Sequence, residues 1–389
     1  MTRRLCVMMV AAEASGDDRG AGLARALRAR LGDDVRFVGT GGAKLAEEGV
    51  NSPFDIADLS IAGIFEGLMA YPRVMRRVGD TVALAIREQP DVVVLIDSWG
   101  FTIRVAAVLR RLRPNLPLVK YVAPQVWAWR PGRARKLAAC VDHLLSINAV
   151  DSAYFAPVGL ATTFVGDATL AQDYSGADPM RLRAAIGVQA DAPILLMLPG
   201  SRPGEIRRVL PPFLDAALWL LRERPELQVV VPAAAPVAER VKRALAGASD
   251  RIHVVEGQAA KQDAMKAATV ALACSGTVTT ELALAGCPMV VGYRLGPMTH
   301  LVLKHLLRSR FITMINIAAG QEIATERLQT ACDGVTLAAD LAGLLDDPQG
   351  RARQINAQDA ALEAMGRGGP DPSESAAEAI LVFLSQRRR

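Results

Sequence analysis

Cysteine is scarce in this 389-residue chain, and the five residues, Cys6, Cys140, Cys274, Cys287 and Cys332, lie far apart without forming C-x-x-C. An odd number at such spacing writes neither a disulfide framework nor a zinc knuckle, and a reducing cytosol is the simplest setting. Histidine is scarcer still. His143, His253, His300 and His305 include no H-E-x-x-H, and the last two miss the helical i,i+4 spacing, so no metal site is expected. Aromatic residues make up only 5%. The apolar content is therefore mostly Ala, Val and Leu, which suits helices on parallel strands better than an all-β sandwich. A G-x-S-x-G elbow, a G-x-G-x-x-G turn and a G-x-x-x-x-G-K-[ST] phosphate loop are all missing. No apolar run reaches the roughly 18 residues of a transmembrane helix, so membrane contact would be peripheral.

What the chain does have is enough apolar sequence for large cores: 51% hydrophobic residues against 22% charged. The length exceeds what one core usually holds and predicts two domains of about 150–200 residues. The 45 Lys and Arg against 40 Asp and Glu leave a net charge of +5, a mild preference for an anionic partner that leaves nucleic acid, nucleotide and acidic lipid open. Arg3-Arg4 before an apolar run looks briefly like a signal sequence. The run is short and meets Glu13-Ala14-Ser15-Gly16-Asp17-Asp18, so it is read as a first strand.

Short β-rich runs alternate with longer Ala/Leu/Arg segments of helical period, the pattern of β-α units around parallel sheets. Strands are expected near Leu5–Ala11, Val35–Gly39, Val92–Ile96, Leu118–Val122, His143–Ile147 and Thr163–Val165. A second set follows near Ile194–Leu198, Leu227–Val231, Ile252–Val255, Val270–Ala273 and Met289–Val291. The polar Gly166–Asp178 stretch between them reads as a connection, dividing the chain into domains over 1–167 and 168–365. A last helix over Ser373–Leu384, capped by Asp371 or Ser373, is expected to pack back on the first domain as part of 373–389.

Parallel sheets bind ligands beyond the carboxyl ends of their strands, so the loops there are the first candidates. The first, Glu13-Ala14-Ser15-Gly16-Asp17, ends a strand and opens a helix whose free amides attract anions, and it reads equally as a tight capped turn. In the second, Val92–Ile96 runs into Asp97, a lone carboxylate that serves either as a base for an acceptor hydroxyl or as a helix N-cap. The third, Pro199-Gly200-Ser201-Arg202, gathers amides, a hydroxyl and a guanidinium at one point, a combination that suits a diphosphate better than a plain turn. The fourth carries Ser275-Gly276-Thr277, with Glu281 one turn into the next helix as a ribose ligand or a first-turn acid. Two anion-ready loops in one half suggest a nucleotide held across them.

In this order the loops resemble those of the lipid-A-disaccharide synthase family, bacterial glycosyltransferases of the B-type fold. The most specific segments are Glu13–Asp17, Tyr121-Val122-Ala123-Pro124-Gln125-Val126-Trp127-Ala128-Trp129-Arg130, Leu198–Arg202, Ser275–Thr277 with Glu281, Cys287–Arg294, and Asn316 with Gly320. The resemblance implies an α/β fold of two Rossmann-like domains facing a cleft. It also implies transfer of 2,3-diacylglucosamine from a UDP donor to the 6-hydroxyl of 2,3-diacylglucosamine 1-phosphate, giving a β-1,6 disaccharide and UDP without metal or other cofactor. Asp97 matches the general base. Arg202 would act in catalysis and, with Gly200, Ser201, Ser275, Gly276, Thr277, Glu281, Asn316 and Glu322, would bind the UDP-sugar donor. Glu13, Ser15, Gly16, Asp17 and Trp127 form the expected substrate loop.

The chain also departs from that family. Val165-Gly166-Asp167-Ala168 stands where Val-Gly-His-Pro is usual, Asn148-Ala149-Val150 replaces Pro-Phe-Glu, and Trp99-Gly100-Phe101 replaces Pro-Asp-Phe. Acyl chains require an apolar surface. Ile64, Phe65, Leu68 and Met69, beside Arg76 and Arg77, suit docking on the inner face of the cytoplasmic membrane, and Leu301–Phe311 with Lys304, Arg308 and Arg310 is a second candidate. A homo-oligomer is compatible with this reading, and nucleic acid is not an expected partner. The alternatives are a UDP-N-acetylglucosamine 2-epimerase-like enzyme, with water-soluble substrates and no apolar patch, and a non-catalytic nucleotide-sugar-binding protein.

Overall fold

The runs rich in β-branched residues form strands because parallel pairing with helices on both faces buries the central ones almost completely. The computed structural model describes residues 4–59, 64–126, 132–296 and 310–387, with only the backbone of 64–70. Two compact units emerge: the chain up to Ala168 together with Gly369 onward, and Thr169–Gly368.

In the first unit β1 (Leu5–Val10), β2 (Val35–Thr40), β3 (Val92–Ile96), β4 (Leu118–Tyr121), β5 (His143–Ser146) and β6 (Ala161–Phe164) form a parallel sheet in the order β2-β1-β3-β4-β5-β6. Its central strands are buried apart from Leu5 at the start of β1. Helices α1 (Ala14–Leu31), α2 (Ala43–Glu47), α3 (Ile64–Glu88) and α4 (Trp99–Leu112) follow the first strands. Val74, Val78 and Val82 recur every four residues on α3 and join Val105, Ala106 and Leu109 of α4 against one sheet face. Leu23 and Leu27 of α1 cover the other face with Ala376, Ala377 and Ile380 of the last helix, Pro372–Arg387. Asp371 Oδ1 caps that helix by accepting from the amides of Ser373 (2.8 Å) and Glu374 (3.0 Å).

The second unit repeats the design with β7 (Ile194–Leu198), β8 (Gln228–Ala233), β9 (Ile252–Glu256), β10 (Val270–Cys274), β11 (Met289–Tyr293) and β12 (Thr325–Leu328), ordered β12-β11-β10-β7-β8-β9. This is the Rossmann strand order. β12 lies outside the expected strands: Thr-Glu-Arg-Leu is an edge strand of half-buried residues and lacks the apolar run that marks the others. β6, also an edge, begins two residues before the expected Thr163 because its register with β5 starts at Ala161. Chain direction across the sheet reverses between β1 and β3 in one unit and between β7 and β10 in the other. The loops at the carboxyl ends of those four strands are the four singled out by sequence.

Candidate active site

At the reversal point of the first sheet, the ends of β1 and β3 bring Ser15 and Asp97 together. Ser15 Oγ donates to Asp97 Oδ2 at 3.0 Å. Arg19, one helical turn after Ser15, places Nη1 3.4 Å from the same oxygen and Nη2 3.6 Å from Asp167 Oδ1. Asp167 is thus linked through one guanidinium to the candidate base. Asp97 is not the helix N-cap: Ser98 holds that position, and Asp97 Oδ1 instead accepts from the Ser98 amide at 2.9 Å. With its side chain 32% exposed, the carboxylate is open to an acceptor hydroxyl.

The backbone beneath this carboxylate is left-handed at two successive residues, with φ +48° at Asp97 and +33° at Ser98. Conformations of this kind are rare outside glycine and persist only where the surroundings hold them. Here the Asp97 carbonyl accepts from the Thr102 hydroxyl (2.9 Å) and from Lys120 Nζ, while the Asp97 amide donates to the Tyr121 carbonyl at 2.9 Å. Lys120 lies in the middle of β4 and is 2% exposed. Burial pulls its pKa down from the ordinary 10.5 to about 7, with the charges of Asp97 and Glu13 acting in the opposite direction.

The remaining residues of the substrate loop divide. Glu13 is exposed at the start of α1, and Gly16 is buried where an added Cβ would stand 3.6 Å from that of Asp97. Asp17 is a correction: only 5% exposed, it accepts from the amides of Gly42 (2.7 Å), Lys44 (2.9 Å) and Leu45 (3.2 Å), so its oxygens anchor α2 and are not offered to a substrate. Trp127 lies outside the described residues.

In the second unit the Gly200-Ser201-Arg202 loop opens the helix Pro203–Glu223. Two of its amides are already occupied. Glu205 Oε2 accepts from the N–H of Ser201 (3.1 Å) and of Arg202 (3.2 Å), a capping arrangement that corrects the expectation of free amides for a phosphate. Gly200 is required here, since at φ +117° an added Cβ would lie 2.7 Å from Glu205 Oε2. The Arg202 side chain is 80% exposed and remains the cation this loop presents. At the adjoining loop Gly276 and Thr277 are exposed and Ser275 is half-buried, at the start of the helix Thr277–Leu284. Glu281 is buried one turn in, and its Oε2 pairs with Lys261 Nζ.

Asn316 is a second correction. Fully buried, its Nδ2 donates to the carbonyl of Ala324 (2.8 Å) and to Glu326 Oε1 (2.9 Å), and its Oδ1 accepts from the amides of Ile323 and Ala324, both at 2.9 Å. Every hydrogen-bonding group of that amide side chain serves the fold. Glu322 is exposed, and its Oε1 accepts from the Glu326 amide at 3.1 Å.

Ile64, Phe65, Leu68 and Met69 lie on α3 where the backbone alone is described, and 301–309 of the second apolar candidate lie outside the described residues. Further along α3, Tyr71 and Met75 are exposed, 51% and 36%, beside exposed Arg73 and Arg76. Arg77 does not belong with them. Its guanidinium bonds Asp58 (Nε 3.1 Å) and Asp80 (Nη1 3.0 Å) and lies over the Phe54 ring at 4.9 Å, an internal tie in place of a free surface cation.

Four contributors escape the sequence reading: Arg19, Lys120, Glu205 and Lys261. Arg19 was visible as the residue four after Ser15, on the same helical face. Lys120 was visible as the single charge within the apolar Leu118–Tyr121 strand. Glu205 stands at the third position of its helix, where a carboxylate closes a capping box. For Lys261, which reaches Glu281 across 20 positions, the local sequence carries no signal.

Comparison with known proteins bears on the fold and the family. Solved structures of similar architecture include S. aureus MnaA in complex with UDP (TM-score 0.66, 14% identity, 98% of this chain and 97% of that one). Another is the Neisseria meningitidis UDP-GlcNAc 2-epimerase bound to UDP-GlcNAc (TM-score 0.61, 12% identity, 98% and 100% covered). At such identities the likeness shows the fold, two Rossmann-like domains, and lends the epimerase alternative nothing more. Sequence relatives are far closer. The lipid-A-disaccharide synthase of Rhodospirillum centenum is 40% identical over 98% of this chain and 96% of its own length, and that of Ruegeria pomeroyi 39% identical over 98% and 96%. The model of the lipid-A-disaccharide synthetase family matches residues 7–380, and the chain belongs to that family.

Proposed function

We propose that this glycosyltransferase of lipid A biosynthesis moves 2,3-diacylglucosamine from its UDP-linked form to the 6-hydroxyl of 2,3-diacylglucosamine 1-phosphate. The products are a β-1,6-linked disaccharide 1-phosphate and UDP. The observation that carries the reading is the Ser15–Asp97 hydrogen bond of 3.0 Å at the reversal point of the first sheet. A carboxylate held there by a hydroxyl and a guanidinium is a fixed proton acceptor open to solvent. As the acceptor oxygen attacks the anomeric carbon, its proton passes to Asp97. The bond from that carbon to the UDP oxygen breaks with its electron pair, and attack opposite the leaving group inverts the centre.

Departing UDP gains negative charge. The exposed Arg202 guanidinium and the first turn of the Thr277–Leu284 helix supply positive potential for it without a metal ion. Glu281, fixed by Lys261, takes the ribose hydroxyls. Solved structures of the same fold that hold UDP or UDP-GlcNAc are in keeping with a UDP-sugar as the donor. The acyl chains call for a membrane, and no described helix is long and apolar enough to cross one. The exposed Tyr71, Met75, Arg73 and Arg76 of α3 favour peripheral docking on an anionic leaflet, the inner face of the cytoplasmic membrane.

Incubation with UDP-2,3-diacylglucosamine and the monosaccharide 1-phosphate tests the reading. Disaccharide and UDP should form in equal amounts, undiminished by EDTA. No disaccharide from the intact protein would overturn the reaction, and loss of activity in EDTA would overturn the metal-free step alone. Liposome flotation tests docking: replacing Phe65, Leu68 and Met69 by Ser should abolish binding, and retained binding would remove α3 from the membrane surface.

A further inference from the structure

A fully buried ammonium directly beneath a left-handed turn is expensive twice over. Each left-handed non-glycine residue carries a steric cost, and a buried charge adds a desolvation cost of its own. The turn at Asp97–Ser98 already has a neutral tether, since the Thr102 hydroxyl lies 2.9 Å from the carbonyls of both residues. A neutral tether is thus available without the cost of a buried charge, and fold stability alone gives no reason to bury a lysine there. Yet Lys120 Nζ donates to the Asp97 carbonyl and, at 3.0 Å, to Thr102 Oγ1.

We propose that Lys120 is a positioning residue: together with Thr102 it clamps the Asp97 carbonyl and holds the turn that aims the Asp97 carboxylate at the acceptor hydroxyl. This rests on the reading of Asp97 as the base. Lys120 is not a catalytic residue, because its ammonium is sealed from solvent and reaches the reactants only through the Asp97 backbone. The charges that face it are few. Asp97 contributes from the end of β3 and Glu13 from the start of α1, while its register neighbours, Leu95 on β3 and Leu144 on β5, are apolar, and Thr102 on α4 is neutral. Carbonyl and carboxylate belong to one residue, so rotation of the unclamped turn moves the base directly.

The test compares Lys120→Met, Thr102→Val, the double variant and Asp97→Asn by kcat, KM for both substrates and thermal unfolding. Lys120→Met should lower kcat at least tenfold and leave both KM values within twofold. The double variant should be no slower than the slower single, because both groups act through one carbonyl. The kcat–pH profile of the intact enzyme should bend near pH 7, and that bend should be absent from Lys120→Met. Wild-type kcat in Lys120→Met, or losses that multiply in the double variant with the bend retained, would overturn the inference. If Lys120→Met does not fold, Thr102→Val decides: lowered kcat at constant KM supports the clamp, and unchanged kcat overturns it. Full activity in Asp97→Asn would instead remove the base reading, an outcome separate from any result at Lys120.

Discussion

Ser15 on the first turn of α1 donates to Asp97 at the end of β3, and 82 positions of chain separate the two residues. The bond joins the two strand ends between which the sheet reverses direction, so the fold itself brings the hydroxyl to the carboxylate. As a general base, Asp97 should contribute about 10²–10⁴-fold to the rate, and Asp97→Asn should lose that much kcat. Ser15 only orients it. Ser15→Ala should cost about three- to tenfold in kcat with an unchanged melting temperature, because Ser15 is exposed and the deleted bond is a single one. Steady-state assays beside a thermal melt check both.

Glu205 and Gly200 form a matched pair. Glu205→Ala releases the amides of Ser201 and Arg202 and should destabilise the protein by about 1 kcal/mol, the usual value of a lost helix cap. Gly200→Ala should destabilise it further through both the positive φ and the collision with Glu205. In the double variant the 2.7 Å clash with the carboxylate oxygen is gone, while the 2.8 Å approach to the Cβ of position 205 and the strained φ remain, so the two losses should sum to somewhat more than the double variant shows. Urea unfolding of the three proteins measures the difference.

Most of the fold is legible because buried parallel strands must be continuous apolar runs, as Val92–Ile96 and Ile194–Leu198 are. Thr325–Leu328 is illegible for the same reason, being an edge strand that needs no apolar run. At the site, the loops are legible and the state of their donors is not. Pro199–Arg202 reads as a phosphate loop until Glu205 is seen on its amides, and Asp17 reads as a ligand until three amides are seen on its oxygens. Which groups are already satisfied is decided by tertiary contacts, and local spacing does not encode them.

Asn316 illustrates the consequence. Asn316→Ala leaves the amides of Ile323 and Ala324 and the carbonyl of Ala324 without partners in a buried place, so it should destabilise the protein by about 3 kcal/mol. UDP affinity of the folded variant should stay within twofold of wild type by isothermal titration. A large loss of affinity without loss of stability would return Asn316 to the nucleotide site.

Arg76 and Arg77 are neighbours on α3 with opposite expectations. Arg77→Ala removes contacts to Asp58, Asp80 and the Phe54 ring, and should lower the melting temperature while leaving vesicle binding near wild type in the folded protein. Arg76 is exposed. Arg76→Ala should keep the melting temperature and weaken binding to anionic vesicles about fivefold, the worth of one basic residue at such a surface. Binding to neutral vesicles should be the same for both.

Lys120 also sets a direction for stability against pH. Its pKa falls from 10.5 to about 7 on folding, chiefly through burial. Between those values the unfolded chain holds the proton and the folded chain has released it. Stability therefore rises with pH across that window, and below about pH 7 the cost of the buried charge is present in full. Lys120→Met has no such proton. The unfolding free energy of the intact protein should gain on that of the variant between pH 7 and pH 9, measured by urea titration at matched ionic strength. A constant difference across that interval would mean that Lys120 keeps an ordinary pKa despite its burial.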